Sequence, residues 1–123
     1  MPSRAYTMIA MPKTRSAEIT DRYIKHIREQ NVTGIVDLFA PDATYTMPDG
    51  RRFTGADEIR GWFSKLFASL ALTPQVIATV DSETASAVEI ENVLPDGTKR
   101  STANFFYLDD AGLITQLRVY QRG

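Results

Sequence analysis

Pro74 divides the chain between two kinds of hydrophobic periodicity. Before it, apolar residues recur every three or four positions, the spacing of a helix face. After it they alternate, the spacing of a strand. Helices first and an antiparallel meander last is the α+β arrangement. The 123 residues suit one domain, large enough to hold an apolar core without disulfide staples.

Three helices are expected. In the first, over 16–30, Ile19, Tyr23, Ile24 and Ile27 form one stripe and Ser16 is the expected N-cap. In the second, Asn31 caps a short helix whose Val32, Ile35, Val36 and Phe39 fall at i, i+3, i+4 and i+7, with Pro41 ending it. In the third, Thr54 and Asp57 have capping-box spacing ahead of a face made by Ile59, Trp62, Phe63, Leu66, Phe67 and Leu70. Between the last two, 43–47 alternates like a strand and Pro48-Asp49-Gly50 reads as a turn. Strands are predicted over 75–80, 84–94, 99–108 and 113–121. Residues 1–15 show no periodicity and contain two prolines, so they read as a flexible arm ahead of a domain at 16–123.

Two turns set the faces of the meander. Pro95-Asp96-Gly97 fits a three-residue hairpin loop with a left-handed glycine, pairing Leu94 with Thr98. That count places Asn104 opposite Val88, Thr102 opposite Ile90 and Phe106 opposite Ser86. Asp109-Asp110-Ala111-Gly112 pairs Leu108 with Leu113, and so sets Asn104 beside Leu117 and Thr102 beside Val119. One face then carries Val88, Ile90, Thr102, Asn104, Phe106, Leu117 and Val119, a single amide among hydrophobes. The other carries Glu89, Glu91, Phe105, Tyr107, Ile114, Gln116, Arg118 and Tyr120. Such a mixture of aromatics and both charge signs suits a homodimer interface.

Composition narrows the chemistry. With no Cys and one His, thiolate chemistry and multi-histidine metal centres are excluded, and proton transfer falls to a carboxylate or to His26. The 14 basic and 15 acidic residues nearly cancel, so nothing draws the chain to nucleic acid or to a membrane surface. No apolar run approaches the roughly 20 residues of a membrane span, and a cytoplasmic protein is expected.

The phrases RYIKHIREQNVTGIVDLFAPDATY (22–45), FTGADEIRGWF (53–63) and LDDAGLITQLRVY (108–120) resemble the SnoaL-like and ketosteroid isomerase branch of the NTF2-like superfamily. The resemblance implies three N-terminal helices packed on a strongly bent, mostly antiparallel sheet, a cone around an apolar cavity for a small hydrophobic ligand. It implies chemistry without a metal or other cofactor. Ketosteroid isomerase combines an Asp base with an oxyanion hole made by a Tyr and a protonated Asp. Tyr23 matches the oxyanion Tyr and Asn104 the second oxyanion donor, while Met47 stands where the base would be, and a thioether takes no proton. His26, three residues after Tyr23, and Asp49, in the turn, are the candidate replacements. Met47, Trp62, Phe63, Val88, Phe106, Leu117 and Val119 are the expected substrate-binding wall. The functions implied are a cofactor-independent isomerase, dehydratase or cyclase, a non-catalytic binder of hydrophobic ligands, or a dimeric assembly domain whose outer face (Glu89, Phe105, Tyr107, Arg118, Tyr120) is the working surface.

Overall fold

The computed structural model describes residues 12–122. Residues 1–11, most of the expected arm, lie outside that range. Three helices, α1 (Arg15–Glu29), α2 (Val32–Val36) and α3 (Gly55–Ser69), pack on one six-stranded sheet. The strands are β1 (Phe39–Thr46), β2 (Arg52–Thr54), β3 (Thr73–Asp81), β4 (Ala85–Val93), β5 (Lys99–Leu108) and β6 (Ile114–Gln121), in the order β2-β1-β6-β5-β4-β3. All neighbours are antiparallel except β1 and β6. Among the described residues no helix is long and apolar enough to cross a membrane.

The predicted stripe of α1 is buried as expected, with Ile19, Tyr23, Ile24 and Ile27 in the core. Its cap is Thr14 rather than Ser16: the Thr14 hydroxyl accepts from the Ala17 N–H at 3.1 Å. Ser16 is fully buried and donates instead to the backbone carbonyls of Ser82 and Ala85. With the buried Thr20–Ser86 hydroxyl pair at 2.8 Å, this fixes α1 against the start of β4. Asn31 caps α2 as predicted, accepting from Gly34 N–H at 2.9 Å. The α3 box forms only in part. Glu58, one turn in, accepts from the Thr54 N–H at 2.9 Å, while Thr54 makes no side-chain cap bond.

Helix α2 ends at Val36, and Phe39 begins β1. Phe39 satisfies the i+7 spacing only because a buried strand start and a third helical turn would bury the same residue. Pro41 lies inside β1, where the pairing to β6 is interrupted between Phe39 and Thr44, so its missing N–H removes no ladder bond. Strand β2 is three residues long, too short to leave a periodic signal.

The first hairpin follows the sequence count: Asn104 faces Val88, Thr102 faces Ile90 and Phe106 faces Ser86, around Gly97 at φ 86°. The second departs from it. Leu108 pairs with Ile114, and a bulge shifts the register by one more residue, so Asn104 faces Val119 and Phe106 faces Leu117. A one-residue slip turns a strand over, and two slips turn it back. Leu117 and Val119 therefore remain on the inner face. Ile114, expected outside, lies ahead of the bulge and is fully buried.

Candidate functional site

The helices cover the inner face of the curved sheet and leave a hollow of about 570 Å3. Its apolar lining includes Ile24, Ile27, Met47, Phe63, Leu66 and Ile90. The polar lining falls into two groups. Tyr23 from α1, Tyr45 from β1 and Trp62 from α3 stand at one end, while Asn92, Thr102 and Asn104 stand on the β4–β5 wall. Arg51, Asp49, Arg100 and Gln121 also border it, and all four are exposed.

The aromatic end is tightly built. The Tyr23 ring meets Phe63 and Phe106 edge-on, at centroid distances of 6.2 and 5.2 Å. Tyr45 meets Phe63 edge-on at 5.3 Å. Trp62 stacks on Phe53 at 5.2 Å, and the Arg51 guanidinium lies 5.2 Å from its ring centroid. Burial pushes the Tyr23 phenol well above its ordinary range, and the neighbouring Tyr45 adds to the effect. Burial also raises Tyr45, against an opposing pull from the Tyr23 hydroxyl and the Trp62 N–H, which both face its oxygen. The Trp62 Nε1–H closes no hydrogen bond among the described residues. At neutral pH both phenols at this end are thus neutral, in an aromatic surround.

The proposed site residues separate on this geometry. Tyr23, Asn104, Asp49, Met47, Trp62, Phe63 and Val119 all border the hollow. Val88, Phe106 and Leu117 do not; they are buried core side chains that fill the space between sheet and helices. His26 does not reach the hollow either. Its ring packs where α1 meets α2, close enough that a Cβ on Gly34 would stand 2.6 Å from it. Its Nδ1 lies 3.4 Å from Asn31 Nδ2 and 3.6 Å from Glu29 Oε1. Three residues beyond Tyr23 is about 300° around a helix, and that offset turns His26 to the α2 side.

Asp49 borders the hollow but is committed to its turn. Its carboxylate accepts from the Arg51 backbone N–H at 3.0 Å and from Arg51 Nε at 2.8 Å. The backbone donor first, then the guanidinium, hold its pKa below the ordinary carboxylate value. Asn104 departs from its expected role. Its Nδ2 donates to Val88 O at 3.4 Å and to Thr102 Oγ1 at 3.0 Å. Both amide hydrogens are thereby engaged, and the atom left for the hollow is the acceptor Oδ1. Tyr45 is the residue missed in the sequence. The alternation Ala43, Tyr45, Met47 was its signal, since residues two apart on a strand share a face. Among the described residues no three His, Asp or Glu side chains gather closely enough to hold a metal ion.

A family model described as a SnoaL-like domain matches residues 20–117. No curated protein matches. Among solved structures, a Mycobacterium tuberculosis protein superposes with a TM-score of 0.81 at 17% identity, covering 92% of this chain and 95% of its own. A protein with a ketosteroid isomerase-like fold from Catenulispora acidiphila gives 0.75 at 20% identity, with 84% of each chain covered. An NTF2-like protein from Cytophaga hutchinsonii gives 0.74 at 14% identity, covering 92% of this chain and 95% of that one. At these identities the likeness is one of fold.

Proposed function

The chain belongs to the SnoaL-like domain family, and on that premise we propose that it is a cytoplasmic binder of a small, flat, apolar ring compound carrying a carbonyl or phenolic oxygen. The observation that carries this reading is the hollow itself. Its volume of about 570 Å3 falls within the roughly 300–1,000 Å3 usual for small-molecule sites. Its walls are aromatic and aliphatic, and Tyr23 and Tyr45 supply donors at one end. Binding without turnover is favoured because the described lining holds no free proton acceptor. Met47, which the resemblance sets at the place of the base, offers only a thioether to the hollow, His26 packs elsewhere, and the Asp49 carboxylate is bound by Arg51.

A second reading is a cofactor-independent isomerase, dehydratase or cyclase. Asp49 favours it, as the one carboxylate among the described lining residues. A thermal-shift screen with steroids, phenols and polyketide-like rings tests both. A bound ligand raises the Tm by mass action. A screen without any rise removes both readings. A ligand recovered unchanged after prolonged incubation supports binding. Turnover that disappears in Asp49→Asn, with the thermal shift kept, supports the enzyme instead.

We also propose a homodimer through the outer sheet face. Tyr107 and Tyr120 are exposed there and Val80 is 75% exposed. Phe105 packs edge-on to Tyr120 at 5.6 Å, and the Arg118 guanidinium lies 5.8 Å from the Tyr107 ring centroid. Glu89 borders a shallow depression on the same face with Val80, Ala87 and Ala103. An apolar centre with charges at its edge is the usual anatomy of a protein interface.

A further inference from the structure

The polar groups of the hollow differ in hydrogen-bonding sense from one wall to the other. On the α1, β1 and α3 side the Tyr23 hydroxyl and the Trp62 N–H face the Tyr45 oxygen, which leaves the Tyr45 hydroxyl as the donor to the hollow. On the β4–β5 side stands Asn104, whose amide hydrogens go to Val88 O and Thr102 Oγ1. Nδ2 is held by a backbone carbonyl, which accepts only, and so the amide cannot be reversed without setting two acceptors against each other. Oδ1 is what remains. Further along the same wall, Asn92 Oδ1 is buried without a partner. Val88, Ile90 and Asn92 alternate along β4, and Asn92 pairs with Arg100 as Ile90 pairs with Thr102. The two amide oxygens thus lie on one side of one hairpin. An acceptor left unpaired in an apolar site costs about 1–3 kcal/mol, and native structures carry few such atoms.

We infer that the site selects ligands bearing a hydrogen-bond donor, a ring hydroxyl or N–H, which the Asn104 carbonyl oxygen receives. This deepens the proposed binding function and rests on it. It also reverses the part expected of Asn104, from donor to a ligand oxygen to acceptor from a ligand hydrogen. An apolar ring carrying only an acceptor finds partners at the tyrosine end and leaves the amide wall unpaired. A ring with a hydroxyl satisfies both walls. Discrimination of this kind is steep, because the unsuitable ligand loses a bond and also leaves a buried protein group without one.

The test uses three probes of one ring system: 2-naphthol, 2-methoxynaphthalene and naphthalene. Affinities are measured by calorimetric titration of the full chain. The naphthol is expected to bind about tenfold or more tightly than the methyl ether, the equivalent of about 1.4 kcal/mol. In Asn104→Leu the difference is expected to collapse, with the naphthalene affinity retained as evidence of an intact hollow. Equal affinities for naphthol and methyl ether on the native chain overturn the inference while leaving ring binding in place. A preference undiminished in Asn104→Leu overturns it too, since another group would be the acceptor. If none of the probes binds, the ring-binding function falls and the inference with it.

Discussion

Tyr23 shows how one side chain can read as catalytic and behave as part of a neutral donor group. Its phenol sits among Phe63, Phe106 and Tyr45, where a phenolate would have little solvation. Its folded pKa is raised above the ordinary value of 10.0. The unfolded chain gives up that proton near the ordinary value and the folded chain holds it, so above about pH 10 the unfolded state binds fewer protons. Stability is then lost progressively as pH rises toward the folded value. Thermal melts from about pH 8 to pH 11 should show the Tm falling at the alkaline end, with a shallower fall in Tyr23→Phe. An equal fall in the variant would place the alkaline sensitivity on other groups. At this scale the sequence was informative where spacing decides. Met47, Trp62, Phe63 and Val119 border the hollow. It misled where orientation decides. The amide of Asn104 is held by its own hairpin neighbours, and His26, on the flank of the Tyr23 face, packs against α2 instead of reaching the hollow.

Among the elements, the β5–β6 connection is the most instructive. Its loop is tied by Asp109, whose carboxylate accepts from the Ala111 and Leu113 backbone N–H groups at 2.9 Å each. The bulge between the pairs of Tyr107 and Leu108 takes up Thr115, whose hydroxyl donates to Tyr107 O at 3.0 Å. Together loop and bulge hold Ile114, Leu117 and Val119 all inward, which strict alternation from Ile114 forbids. Deleting Thr115 joins Ile114 to Gln116, and plain alternation then keeps Ile114, Leu117 and Val119 inward without a bulge. The deletion variant is expected to keep a cooperative melt and its near-ultraviolet circular dichroism, with a Tm lowered by the loss of the Thr115 hydroxyl bond to Tyr107 O, worth about 0.5–1.5 kcal/mol. Loss of the cooperative transition would show that the bend made by the bulge is itself needed by the fold. Periodicity made the helices and β4, β5 and β6 legible because each buries one face, whereas β3 is exposed over 75–81. It did not reveal the bulge, the three-residue β2 or the change from α2 to β1 at Phe39. Those depend on partners distant in sequence.

Across the whole molecule, the inner face is occupied by helices and hollow, and the outer face bears Val80, Phe105, Tyr107 and Tyr120. Light scattering at micromolar concentration is expected to give twice the chain mass of 13.8 kDa. Tyr120→Lys, which sets a charge at the apolar centre of that face, should return the mass of one chain without lowering the response to a bound ring. A native chain that scatters as a monomer would reject the interface. Strand order has a different consequence. Among the described residues the β1–β2 pair and the β3–β4–β5 meander share no ladder, and only β6, the last of the six in sequence, joins them through β1 on one side and β5 on the other. During synthesis the two parts of the sheet therefore wait, each with an open edge, until residues 114–121 have emerged. Folding of this chain is then timed by its final strand, and the interval before that strand arrives is when its edges are most open to mispairing and to the holding action of chaperones.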